Sequence, residues 1–87
     1  MKRKPLTSGQ LRAARAFLRW RAEDLAGESA VGVATIRRAE LTENETSMTA
    51  ANDMAVRRAL ETAGVEFIDE NGGGPGVRLR NRQGKKA

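Results

Sequence analysis

Apolar positions recur at helical spacing through most of this chain and switch to alternation near its end. Leu11, Ala14 and Leu18 share one helical face, with Ala13 and Phe17 beside them, and predict a first helix over about residues 8–19. Thr7-Ser8-Gly9-Gln10 just ahead of that face has the form of a capping box, and Leu6 and Leu11 stand at hydrophobic-staple spacing. A second helix is expected from Arg21 or Ala22. Glu23 and Asp24 fall in its first turn, where carboxylates suit the positive end of the helix dipole, and Leu25 and Ala26 point inward. Ser29-Ala30-Val31-Gly32 reads as a tight turn. A third helix then starts at Gly32 or Val33, with Val31 and Ile36 again at staple spacing. Turning Ile36 and Ala39 to the core leaves Val33, Ala34, Arg37 and Arg38 on or near the outer face. Short helix, turn and short helix make a helix-turn-helix over 21–40, whose second helix covers about 32–41.

The remainder is simpler. Leu41 to Ser47 is polar and aperiodic and reads as a loop. A further helix, capped at Thr49 or Asn52, is expected to run to Ala63 with Ala55, Val56, Ala59, Leu60 and Ala63 buried. The Arg57-Arg58 pair is expected on its solvated side, and Gly64 as its left-handed stop. Val65-Glu66-Phe67 and Val77-Arg78-Leu79-Arg80 then alternate about a glycine-rich turn, Asn71 to Gly76, and predict a two-stranded hairpin. That turn lacks the Lys-Ser/Thr ending of a phosphate-binding loop and no helix follows it. The expected organisation is a basic tail over 1–5, a helical domain over 6–64, a hairpin over 65–80 and a second basic tail over 81–87. The fold class is mainly α with a small β-hairpin.

Composition narrows the function. The chain has 87 residues, 16 Lys and Arg against 11 Asp and Glu, and a formal net charge of +5. That length suits one small domain, and the positive balance favours nucleic acid or an anionic surface as partner, with solubilising surface charge as the plainer alternative. With neither cysteine nor histidine, disulfides, thiolate metal sites and histidine-based catalysis are excluded. The adjacent acidic pairs Glu23-Asp24 and Asp69-Glu70 read as solvated surface, so no enzyme, metal or cofactor is expected. Met1 to Lys4 has the basic start of a signal peptide, but Arg12, Arg15 and Arg19 interrupt the segment that would have to be apolar, and the expectation is a cytoplasmic protein with no membrane association. Those three arginines share a stripe that either lies along phosphates or is simply solvated.

Several blocks in order carry a resemblance: Leu11-Arg12-Ala13-Ala14-Arg15, Glu23-Asp24-Leu25-Ala26, Thr35-Ile36-Arg37-Arg38 with Glu40, and Arg57-Arg58-Ala59-Leu60-Glu61 followed by Ala63-Gly64-Val65-Glu66-Phe67. Together with the segment Ile68 to Leu79 they make the chain resemble the Cro/lambda-repressor (XRE-type) helix-turn-helix regulators, in particular a short-chain subgroup with a C-terminal hairpin. The likeness covers roughly Leu6 to Leu79. It implies a lambda-repressor-like domain that binds double-stranded DNA as a homodimer, on the nucleoid, with the second helix of the motif in the major groove. By resemblance Val33, Ala34 and Arg38 face base edges, Arg37 lies close to them, and Thr35 either contacts DNA or bonds back to its own helix. Arg19 and Arg21 complete the expected DNA-facing set. Arg38 is the leading candidate, because a guanidinium can bind guanine O6 and N7 together. Arg15 and Glu40 stand where the family often has an ion pair between the first helix and the end of the reader.

The chain also departs from that pattern. Ala22 replaces a common Gln, Ala30 the turn glycine, Gly32 the Ser or Thr cap of the reader, Val33 a polar reader and Asp53 an apolar residue. These departures keep a second expectation open: an antitoxin-like or adaptor protein-interaction module with weak DNA binding. For a homodimer, the strands at 66–69 and 77–80 or the last helix are the candidate contact surfaces.

Overall fold

The computed structural model describes residues 4–80. It contains, in order, α1 (Ser8–Leu18), α2 (Ala22–Ser29), α3 (Val33–Ala39), α4 (Ala50–Thr62), β1 (Val65–Ile68) and β2 (Gly76–Leu79). Of the basic tails expected over 1–5 and 81–87, residues 1–3 and 81–87 lie outside the described residues.

Each helix begins or ends where side-chain chemistry dictates. Thr7 caps α1 through its hydroxyl, which accepts the Gln10 N–H, while the Gln10 amide oxygen accepts the Thr7 N–H at 3.0 Å. Leu6 and Leu11, on either side of that cap, are both fully buried. Thr49 caps α4 through the Asn52 N–H, which decides between the two candidate caps, and Gly64 follows its end at φ +113. The helix-turn-helix corner is tighter. Ala30 sits at φ 63, and the Ser29 hydroxyl donates to the Leu25 carbonyl while accepting the Val31 N–H.

One core unites these elements. Leu6, Leu11, Ala14, Ala22, Leu25, Val31, Ile36, Ala39, Val56, Leu60 and Val65 form a single buried cluster, with α2 packed on α3 and α4 and the hairpin packed on α1 and α4. Ala63, expected in the buried stripe of α4, is exposed, and Phe17 is half exposed; each lies at the rim where its helix leaves the core. β1 and β2 pair antiparallel in the register Val65 with Leu79, Glu66 with Arg78, Phe67 with Val77 and Ile68 with Gly76. Phe67, Val77 and Leu79 pack on the core, whereas Glu66 and Arg78 join across the strands at 3.1 Å. Gln10 links hairpin and helix, since its amide nitrogen donates to the carbonyls of both Ile68 and Gly76.

Two expectations are corrected. Arg57 does not lie on a solvated face: it is 5% exposed, its guanidinium donates to the Lys4 carbonyl at 2.8 Å, lies 3.5 Å from Asp53 and stands over the Phe67 ring. Asp53, standing where the resembled family has an apolar residue, is nonetheless satisfied in the interior, accepting the Leu6 N–H at 3.0 Å. The two residues, one helical turn apart, dock the entering chain onto α4, so Lys4, counted with the tail, is anchored through its backbone. The segment Leu41–Ser47 is irregular, as its polarity predicts, yet it is tied down. Ser8 N–H donates to Asn44 and Thr46 N–H donates to Leu6, forming a bridge between Thr7 and Glu45.

Candidate nucleic-acid interface

The outer surface of α2 and α3 is organised by what the core takes away. Burial of Ile36 and Ala39 fixes the roll of α3. Ala34, Arg37 and Arg38 are thereby exposed, and Thr35 is half-buried with its hydroxyl bonded to no described residue. The alternative in which Thr35 bonds back to its own helix is therefore not adopted. Val33 differs from its expected place: it is partly buried and packs against the core, because the first turn of so short a helix lies close to the body. The cap of α3, Gly32, supplies no side-chain hydrogen bond. The helix itself, Val33–Ala39, is shorter at both ends than the expected 32–41.

The end of α3 is fixed by an ion pair. Arg15 Nε and Nη2 bind both carboxylate oxygens of Glu40, the residue that closes α3, at 2.6 and 2.7 Å, and Arg15 Nη1 donates to the Trp20 carbonyl. Glu40 holds the Arg15 guanidinium above its ordinary pKa through that hydrogen bond, against the opposing effect of burial. Arg12 adds a bond to the Glu40 carbonyl. Two of the three arginines of the α1 stripe thus bond to other groups of the molecule. Arg19, the third, closes α1 in a left-handed conformation at φ 58 and is exposed.

The cations of α3 and of the α1–α2 junction are not equivalent. Arg38 and Arg19 have no side-chain partner among the described residues. Arg21 lies 3.9 Å from Asp24 and is largely exposed. Arg37 is joined to Glu23 across the two helices by a hydrogen-bonded ion pair. Glu23 is held below the ordinary carboxylate pKa first by its own backbone N–H at the start of α2, then by the charges of Arg37 and Arg21. Nothing in the spacing of the sequence marks the Glu23–Arg37 pair, because its partners are 14 residues apart on different helices. Likewise the Arg12 contact depends on a backbone carbonyl, which no pattern of side chains can announce.

Charge over the whole molecule is divided in a way the net value conceals. Residues 4–80 contain eleven Lys and Arg and eleven Asp and Glu, so the excess of five lies in Lys2, Arg3, Arg82, Lys85 and Lys86. A cleft of about 400 Å³ beside the hairpin turn, lined by Lys4, Gln10, Glu45, Asp69 and Glu70 among others, takes no residue from α3. No helix among the described residues is long and apolar enough to cross a membrane. The chain matches no protein-family model and no curated protein.

Proposed function

We propose that this chain is a sequence-preferring DNA-binding regulator of lambda-repressor-like fold, acting as a cytoplasmic, nucleoid-associated homodimer with α3 in the major groove. The observation that carries this reading is the exposed face of α3. A short helix packs against α2 through Ile36 and is braced at its end by Arg15 and Glu40, and it presents Ala34 and an unpartnered Arg38 to solvent. An unpaired guanidinium beside a small apolar residue suits guanine and a thymine methyl on neighbouring base pairs. Thr35 offers a free hydroxyl for a phosphate, and the exposed Arg19 and Arg21 are assigned to the phosphate backbone. Val33 supports α3 from below and reads little.

One helix of this length covers only a few base pairs, and a two-fold pair supplies the missing discrimination. The reading requires no cofactor and no catalytic group. The test is binding of the purified protein to duplex DNA from upstream of its own gene and to a scrambled duplex, at two salt concentrations. A preference of about a thousandfold at physiological salt is expected. Equal binding that salt abolishes would overturn the reading.

A second reading rests on the charge balance. A body with as many acidic as basic residues between positions 4 and 80 is also what an antitoxin-like or adaptor interaction module would show. That reading predicts a protein partner and DNA binding that follows salt alone.

A further inference from the structure

The ion pair between α2 and α3 sets an anion on the surface proposed to meet DNA. Glu23 stands in the first turn of α2, half exposed, and its carboxylate holds the guanidinium of Arg37, which is also more than half exposed. Two further carboxylates, Asp24 and Glu28, belong to α2, but Asp24 turns toward Arg21, accepting its N–H at 2.8 Å, and Glu28 has no partner among the described residues. Of the two adjacent arginines on α3, then, one is occupied and one is free.

The consequence differs between kinds of DNA. A duplex that offers only its phosphate backbone must displace Glu23 from Arg37 and then accept a carboxylate close to its own charges. A duplex that also satisfies Arg38 at a base edge gains contacts that offset this. An exposed pair is weakly held, so the exchange is open to a good site and disfavoured at a poor one.

We propose that Glu23 is a specificity-determining residue, which masks Arg37 from phosphates and thereby suppresses binding to non-cognate DNA; this rests on the DNA-binding reading above. The partner chemistry is the phosphodiester backbone of any duplex, and the discrimination lies in what that backbone is denied.

The test uses the full chain and a random-sequence duplex. Glu23→Gln removes the charge and keeps the shape, and Glu23→Ala removes the acceptor as well. Both variants are expected to bind the random duplex roughly five- to tenfold more tightly near 0.1 M salt, with a log K against log[salt] slope steeper by about 0.9, the value of one additional phosphate contact. In an Arg37→Gln background the same changes are expected to have no effect on slope, since the liberated cation is then missing. Unchanged affinity and slope for both variants would overturn the proposal. Equal tightening with and without Arg37 would also overturn it, because the effect would then be one of bulk charge. If the wild type shows no cognate preference while Glu23→Gln still tightens random binding through Arg37, the regulator reading fails and the masking of Arg37 stands.

Discussion

Ala30 is one of three non-glycine residues at positive φ among those described, with Arg19 and Ser47. It closes α2 at φ 63, where a β-carbon crowds the following carbonyl and a glycine does not. Ala30→Gly is therefore expected to raise stability by about 1 kcal/mol, read as an upward shift of the urea midpoint with the slope unchanged. Gly32, at φ -58 with no side-chain cap, has the opposite remedy. Ser at this position would accept an orphan amide and add a few tenths of a kcal/mol. Arg38 belongs to the same scale but to the proposed function. Arg38→Ala is expected to reduce the ratio of cognate to scrambled affinity by about tenfold or more, corresponding to the roughly 1–3 kcal/mol of a bidentate base contact. A ratio left unchanged would remove Arg38 from the reading role.

Between elements, the contacts that matter most join groups far apart in sequence. Asp53 and Arg57 fasten the entering chain to α4, and both side chains are close to fully buried. Asp53→Ala leaves the Leu6 N–H and the Arg57 charge without their partner and is expected to cost about 3–5 kcal/mol, measured by chemical denaturation. The hairpin pair is different because it is exposed. The Arg78 hydrogen bond holds Glu66 below the ordinary carboxylate value of 4.5, so its contribution is present at neutral pH and lost as pH falls through the lowered folded value. Glu66→Gln is expected to flatten that part of the stability profile between pH 7 and pH 3, and salt is expected to weaken the pair at neutral pH. Most of the elements were legible in the sequence for local reasons. The Thr7–Gln10 box, the Leu6–Leu11 staple and the alternation around Val65 and Val77 each lie within a few residues. Arg57, by contrast, reads as surface from its charge, and only the return of Lys4 and Phe67 to the same spot makes it interior. The site divided in the same way. The exposure of Arg38 follows from the periodicity of Ile36 and Ala39, whereas the capture of Arg37 by Glu23 and the partial burial of Val33 depend on how two helices meet.

At the scale of the molecule, described residues 4–80 span 34 × 33 × 23 Å. Successive major grooves on one side of B-DNA recur at about 34 Å, so the proposed two-fold pair would have to set its α3 helices about one helical turn apart. Sedimentation of the purified protein is expected to show a dimer. The outer face of the hairpin is polar through Glu66 and Arg78, which leaves the strand edges rather than that face as the better contact.

The even charge of the body has a consequence for handling as well as for binding. Proteins with almost no net charge repel one another weakly and tend to associate and precipitate at working pH. Here the formal positive excess at neutral pH rests on five cations outside the described residues, Lys2, Arg3, Arg82, Lys85 and Lys86. A chain cut back to residues 4–80 would carry equal formal numbers of acidic and basic side chains. Such trimming would change a protein that binds a cation exchanger into one that passes through it and aggregates on concentration.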